Sequence, residues 1–451
     1  MSHTYVINID QLKKTLKPVL DRLPMIEQTP ESYSKFKSGE KVFYYNNFDN
    51  GLYNENMEPL SLPANTDGYD AVISETRSRV KSNKPFWIRI LLGHACNYSC
   101  DYCMQKDIGN PDEREKITTT EYFIDQLSKL DFSRLQKIDL WGGETLLYWK
   151  TITEIIDRFD RPGLEWYFPT NGTPLMMKHV EYFSKMKGAV SIGISHDGPG
   201  HVRLRGEEFL HKKVDVLKAL QKLDNVQFSF NPVLSHTNHD LFDINNFFYR
   251  FCKDNDLDIS KIGLSWTLGH NHDYENSENS ALHVIHGEEL ERFKWTLFHY
   301  LQLCSDQHYN KADHSLMNNS LYHGGLGVLP YLKTLRQRIL PTSITSCGVD
   351  DEGVLSVDMK GNVRTCPHTD ESFIGGHLEE LEKVKLKRVD LERYEKHCKS
   401  CPVFRLCKSN CPIEVPDEVF YTNCAVEKVY HSAVQREAFR LIFGNVVTLE
   451  D

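Results

Sequence analysis

No run of about 18 apolar residues occurs in the chain, so no segment has the length and character of a transmembrane helix. The first twenty residues, MSHTYVINIDQLKKTLKPVL, lack the apolar core of a secretion signal, and a cytoplasmic location is expected. Basic charge is also short: 53 Lys and Arg stand against 63 Asp and Glu, a formal net charge of −10. Bulk binding to nucleic acid or an anionic membrane needs a positive surface, so neither partner is expected. There is no internal repeat and no low-complexity tract. Beyond residue 346 the CxxC pair occurs only once, at Cys398 and Cys401, which argues against a pair of zinc ribbons there.

What the chain does have is cysteine in groups. Three of its twelve lie at 96–103 and seven between 347 and 424, and only Cys252 and Cys304 stand alone. In a reducing compartment such groups read as metal ligands rather than disulfides. The two isolated cysteines read as small buried hydrophobes. The first group is CNYSCDYC, with Cys96, Cys100 and Cys103. A [4Fe–4S] cluster has four irons with thiolate as their natural ligand, so three cysteines leave one iron open. An open metal position is the mark of a catalytic site. A zinc ion completed by His94 is the alternative.

With 451 residues, 40% of them apolar and 26% charged, the chain suits a soluble protein of two to four domains. Short apolar runs at Phe86–Leu92, Lys137–Trp141, Leu164–Phe168, Val190–Ile194, Val226–Pro232 and Ile262–Trp266 read as strands. Amphipathic stretches at Thr118–Lys129, Lys150–Phe159, Met176–Met186 and Lys212–Leu223 read as helices between them. This alternation predicts an α/β fold with a parallel sheet over 86–270, an open barrel of six strands. Before it, 1–85 forms a small α+β domain, with helices over 10–23 and 68–82 and a strand–turn–strand over 40–56 around the turn signal DNG. A polar loop and helices at 287–306 and 326–340 make 271–346 a helical linker region. The cysteine-rich domain spans 347–451 and ends in a helix over 425–441. The cysteine group at 96–103 then leaves the C-terminal end of the first strand, the edge where active sites of β/α folds assemble.

The spacing CxxxCxφC, with aromatic Tyr102 before the last cysteine, resembles the signature of the radical S-adenosylmethionine superfamily. The resemblance implies a partial (β/α)6 barrel in which the open iron binds the amino and carboxylate groups of S-adenosylmethionine. One electron then cleaves the sulfonium, and the resulting 5′-deoxyadenosyl radical abstracts hydrogen from the substrate. Three later pieces fall at the ends of successive strands: LWGGET at 140–145, PTNG at 169–172 and ISHDGP at 194–199. Gly142 and Gly143 are read as letting the backbone approach a ligand closely. The family implies that this segment, with Glu144, contacts the methionine amino group; Thr145 stands where the family typically has proline. By the same resemblance Ser195 faces the cofactor and Arg205, with Arg203 as competitor, partners its carboxylate.

From Cys347 the order C-x13-G-x4-C, with Gly361 and Cys366, leads to C-x2-C-x5-C-x3-C at Cys398, Cys401, Cys407 and Cys411, then to Cys424. This resembles the SPASM domain, which holds two auxiliary [4Fe–4S] clusters and gives three clusters in all. The resemblance assigns Cys347, Cys366 and Cys411 to the first and Cys398, Cys401, Cys407 and Cys424 to the second. PTSITS at 341–346 offers no fourth ligand for the first, which leaves an open iron or a reach from Cys304. SPASM enzymes resemble one another as maturases of ribosomally made peptides. The implied reaction is an oxidative cross-link, a thioether, C–C or C–N bond, in a precursor peptide, with a flavodoxin or ferredoxin as electron donor. Many peptide maturases carry a small winged-helix element at the N-terminal end, which binds a leader peptide by strand addition, and the resemblance implies that role for 1–85, whose strand–turn–strand and helix are compatible with it. The alternatives are a dehydrogenase or epimerase acting on a small molecule or another protein, and an iron–sulfur electron-transfer protein without activity. His368 is read as an ordinary surface histidine.

Overall fold

A computed structural model of the chain describes residues 33–47, 50–60, 80–103, 105, 119–270, 283–310, 327–337, 347–368, 371–386, 397–398, 401–408, 411, 417–444 and 447–449. In chain order the strands are β1 (Tyr33–Ser38), β2 (Lys41–Asn46), β3 (Gly51–Asn54), β4 (Trp87–Leu91), β5 (Lys137–Trp141), β6 (Glu165–Thr170), β7 (Ala189–Ile194) and β8 (Val226–Phe230). Then come β9 (Val233–Leu234), β10 (Ile262–Leu264), β11 (Thr267–Leu268), β12 (Val354–Asp358), β13 (Asn362–Arg364), β14 (Ile374–His377) and β15 (Val447–Leu449). The main helices are α1 (Thr120–Ser128), α2 (Trp149–Phe159), α3 (Met177–Phe183), α4 (Val214–Leu220), α5 (Leu241–Asp254), α6 (Gly287–Asn310), α7 (Val328–Gln337) and α8 (Asp417–Phe443).

One nine-stranded sheet runs β10-β8-β7-β6-β5-β4-β12-β13-β14. It is parallel from β10 to β12 and antiparallel from there to β14. The six expected barrel strands are therefore β4, β5, β6, β7, β8 and β10. Helices α1 to α4 each return the chain between neighbouring strands, and α5 follows β9. Local chemistry sets their starts: the Thr119 side chain accepts from Tyr122 N, and Asp240 accepts from Phe242 N and Asp243 N. On α2, Ile152, Ile155, Ile156 and Phe159 fall at helical spacing and are all buried. Burial of such a side chain is worth about 1.5–3 kcal/mol. They pack with Ile88, Ile90, Ile138, Leu140, Trp166 and Phe168, the alternate residues of β4–β6, in the core.

The other face of the sheet has a different character. Register places Arg89, Asp139, Tyr167, Ser191 and Gln227 side by side across β4–β8. Trp141 and Ser229 lie one residue pair further toward the C-terminal edge. This face is polar and aromatic, a lining rather than a core.

Two features lie across the expected domain limits. The cysteine-rich region adds β12 to β4 in parallel, Val354 opposite Trp87 through Asp358 opposite Leu91, so the barrel sheet continues into it. The N-terminal strand–turn–strand is present as β2 and β3, with Asn50 in the left-handed region at φ 54° and Tyr45 Oη donating to its Oδ1. A third strand, β1, precedes them, and β15 from the far end of the chain pairs with it. The sheet packs on α8: the ring of Phe439 lies 4.9 Å from Phe36, 5.5 Å from Phe43 and 5.6 Å from Tyr45. The expected helix at 10–23 and most of that at 68–82 lie outside the described residues. At the end of the latter, Val80 is extended instead, bridging to Lys385, because the backbone is drawn to a partner in the cysteine-rich region. The closing helix is longer than its pattern, 417–443.

Phe439→Ala is expected to remove about 3–5 kcal/mol of packing where β1 and β2 meet α8. Limited proteolysis should then cut faster within 33–54 and the apparent unfolding midpoint should fall. An unchanged cleavage pattern would show that these strands do not lean on α8.

Candidate active site

The chain leaves β4 and turns at once into the segment bearing the first three cysteines. Backbone bonding continues past the strand end: Leu92 N donates to Trp141 O (2.7 Å), Gly143 N to Gly93 O (3.0 Å) and Glu144 N to Ala95 O (2.9 Å). The GGE turn after β5 is thus zipped to the cysteine loop after β4. A side chain at Gly143 would place its Cβ 2.2 Å from His94 O, and one at Gly142 would lie 3.2 Å from Gly93 O. These glycines thus let the turn after β5 lie directly against the backbone of the cysteine loop. Tyr148, just beyond the turn, completes the join: its Oη accepts from Ala95 N at 2.8 Å.

Glu144 is almost fully buried, at 1% exposure. Its Oε1 accepts from Leu146 N (2.9 Å) and Thr170 Oγ1 (2.7 Å), and its Oε2 accepts from Asn171 N (2.6 Å). Burial pushes this carboxyl up, and the bonds from Asn171, Thr170 and Leu146 pull it back toward the charged form. The observed work of Glu144 is to lock the turn after β5 to the PTNG segment after β6. Thr145, in the place of proline, donates from Oγ1 to Leu140 O and is itself buried. PTNG reaches the cysteine loop in turn. Asn171 Nδ2 donates to Asn97 Oδ1 (2.7 Å) and lies 4.0 Å from Cys96 Sγ, while Asn97 Nδ2 donates to Thr173 Oγ1 (2.7 Å).

The segment after β7 meets the loop from the other side. Ser195 is half-buried and its N donates to Thr170 O. Asp197 is fully buried: Oδ2 accepts from Tyr102 Oη (2.5 Å) and Arg205 Nε (2.9 Å), and Oδ1 accepts from Val233 N (2.9 Å). The Arg205 guanidinium lies 5.2 Å from the centroid of the Tyr102 ring. Of the two arginines, Arg205 stands by the loop, bonded to Asp197, while Arg203 is exposed and donates to Thr237 O. Burial raises the Cys100 thiol to about 12; Arg205 opposes this, and Cys103 and Cys96 add to it. Cys96 is likewise pushed up by burial, with Glu144 and Cys103 contributing. Thiolates gathered this closely repel one another unless a cation lies among them, so this donor set fits an iron cluster.

The seven later cysteines gather in two groups. Cys366 is within charge reach of Cys347 and Cys411; burial raises it to about 12 and Arg89 opposes. Cys407 is pushed well up by burial and by Glu427, Cys401, Cys424 and Cys398 around it. Thiolates gathered around Cys366 and around Cys407 would repel, which again fits a shared cation in each group. Cys252 and Cys304 are buried in the core, on α5 and α6.

The turn at 366–368 closes on the first loop, where Gln105 Nε2 donates to Pro367 O (3.2 Å). His368 is not the surface residue expected: its ring centroid lies 4.6 Å from that of Trp141, edge to face. Burial lowers its pKa to about 4, with the charges of Arg89 and His94 adding. The correction has a simple cause, since β12 carries this turn onto the barrel. Sequence reading also missed Asn97, Tyr148, Asn171 and Asp197, whose partners lie on other loops.

Residues 90–244 match the family model of the Radical SAM superfamily, so the chain carries a radical SAM domain over that stretch. Over 209 residues it is 28% identical to the radical SAM cyclopropyl synthase TigE of Paramaledivibacter caminithermalis, covering 42% of each chain. Over 201 residues it is 24% identical to the GTP 3′,8-cyclase of Clostridium perfringens, covering 44% of this chain and 60% of that one. The alignments thus span less than two thirds of these relatives. The fold is similar to the solved structure of native anSMEcpe with bound AdoMet and Cp18Cys peptide, with a TM-score of 0.54 and 16% identity over 79% of this chain and 98% of that one.

Gly143→Ala should break the join between the GGE turn and the cysteine loop. After anaerobic reconstitution the variant is expected to bind less iron and sulfide than the wild type, because the loop carrying Cys96, Cys100 and Cys103 is displaced. Full iron and sulfide content would show that the loop shifts without harm.

Proposed function

We propose that this enzyme cleaves S-adenosylmethionine reductively and abstracts hydrogen from a ribosomally made peptide, leaving an oxidative cross-link of thioether, C–C or C–N type. One observation carries the reading: thiols from distant parts of the chain lie within charge reach of one another in three groups, the first of them on the loop that leaves the C-terminal end of β4. In this reading Cys96, Cys100 and Cys103 hold the radical cluster. Cys347, Cys366 and Cys411 hold one auxiliary cluster of a SPASM-type domain, and Cys398, Cys401, Cys407 and Cys424 hold the other. The bound cluster and S-adenosylmethionine supply the radical; the protein supplies placement.

The residues divide that placement among them. Gly142 and Gly143 bring the turn after β5 against the cysteine loop, and Glu144 fixes it to the segment after β6. Tyr102, held by Asp197 and Arg205, and Ser195 border the place that S-adenosylmethionine would occupy. The polar face of the sheet, with Trp141, Tyr167 and Asn231, whose Nδ2 donates to Tyr167 Oη (3.2 Å), is the wall against which a substrate side chain would lie. Support for a peptide comes from anSMEcpe, whose solved structure holds both AdoMet and a peptide. Residues 1–85 are the proposed leader-recognition element, and a flavodoxin or ferredoxin is the proposed electron donor. Twelve cysteines used as cluster ligands or core thiols suit the reducing cytoplasm.

The test is a mass spectrum of a short peptide encoded beside the gene, co-expressed with the enzyme without oxygen. Loss of two hydrogens per event is expected, and none with Cys96, Cys100 and Cys103 all replaced by Ala. 5′-Deoxyadenosine formed with an unaltered peptide would turn the reading toward a small-molecule substrate. Reduced wild-type protein that forms none would overturn it.

A further inference from the structure

Two cations from the barrel side hold the loop that presents Cys347. Lys81, at 6% exposure, donates from Nζ to Val349 O (2.8 Å), Asp351 O (2.8 Å) and Val354 O (2.7 Å). All three ammonium hydrogens are used on neutral carbonyls. Arg89, also at 6% exposure, donates from Nη2 to Cys347 O (2.5 Å), and its guanidinium lies 3.9 Å from the ring of Trp87. Four carbonyls of residues 347–354 therefore converge on two positive charges. Burial makes an isolated cation costly, so this arrangement persists only because the loop supplies those acceptors.

The charges act beyond their own bonds. Lys81 interacts with the Cys347 thiol, and Arg89 with that of Cys366. Lys408 also faces Cys347. Asp350 and Asp351 lie near Lys81 and Lys408 and offset part of this field. The other late group differs in kind. There Glu427 faces Cys407, bonded to His270 (2.7 Å) and His431 (3.0 Å), and Lys428 acts on Cys401 from further out. A reduced iron–sulfur cluster carries one more negative charge than its oxidised form, so nearby cations favour reduction and nearby anions oppose it.

We infer that Lys81 and Arg89 form a cationic clamp that fixes Cys347 and sets the cluster of Cys347, Cys366 and Cys411 at a higher reduction potential than that of Cys398, Cys401, Cys407 and Cys424. The inference rests on the reading of these groups as auxiliary clusters. The clamp places the more readily reduced of the two beside the polar face of the sheet, on which Arg89 itself lies.

The experiment is a redox titration of the full chain, reconstituted without oxygen and followed by electron paramagnetic resonance. In wild-type protein two auxiliary signals should titrate separately. Cys366→Ala should delete the higher one and Cys424→Ala the lower. Lys81→Met should move the higher potential downward and leave the lower one and the radical cluster in place, while Lys81→Arg should restore it. Should Lys81→Met lose its first auxiliary iron, Arg89→Gln removes a charge and keeps a donor for Cys347 O, and the same downward shift is expected. Unmoved potentials in the variant that retains its iron, or a higher signal deleted by Cys424→Ala, would overturn the clamp. Wild-type protein with iron for fewer than three clusters would instead overturn the functional reading, before any variant is made.

Discussion

Strand β4 has no free edge, and that constraint organises the molecule. It pairs in parallel with β5 on one side and with β12 on the other, over the same five residues, Trp87–Leu91. Parallel strands end together, so the chains leaving Leu91, Trp141 and Asp358 emerge at one edge of the sheet. Those three exits lead to the first cysteine loop, the GGE turn, and the hairpin that brings Cys366 and His368. A slip of one residue in the β4–β12 register would turn every β12 side chain to the opposite face. Within the hairpin that follows, Asp358 accepts from Arg364 Nε at 3.0 Å inside the protein, and this buried ion pair ties β13 to the end of β12.

At that edge the loops are held by buried polar groups more than by apolar packing. Glu144 and Asp197 each accept three hydrogen bonds while shielded from water. A buried charge gains little net stability even when paired, but removing one partner is costly. Such groups therefore specify one arrangement of loops against others. This suits a site whose first ligand group sits on a loop, with Cys96 and Cys103 exposed and Cys100 buried. Rigidity there has to come from neighbouring segments, and Glu144, Asn171 and Asp197 provide it.

Much of this was legible in the sequence wherever the cause was local. The six barrel strands stood out because each buries an apolar side against a helix and is bounded by turn residues. The cysteine groups stood out through their spacing. What escaped was non-local. β1 and β15 pair across the length of the chain, and nothing in the short run VTL at 447–449 names its partner. The helix α5, by contrast, carries a local signal, the Asp240 cap followed by the apolar stripe LFDINNFFYRF. Gly143 could be read as marking a close approach, but only the fold says to what. The same holds for His368, since two residues after Cys366 its surroundings depend on the β12 pairing.

The two late cysteine groups show how the frame differentiates similar chemistry. Cys398, Cys401 and Cys407 lie in and around one short helical stretch, and Cys424 is on α8, so that group is built mainly on helices against the core. Cys347 and Cys366 flank β12 and β13, next to the polar face of the barrel sheet and within reach of Arg89. One group faces a carboxylate shared by two histidines, the other faces cations held by backbone carbonyls. Separation of charge on this scale needs no difference in ligand type, because in a poorly screened interior a single fixed charge acts strongly on its neighbours. The sequence spends Lys81 and Arg89, two cations that water would solvate readily, on a buried loop. A stabilising role alone could be met by neutral donors, whereas a field on Cys347 requires charge.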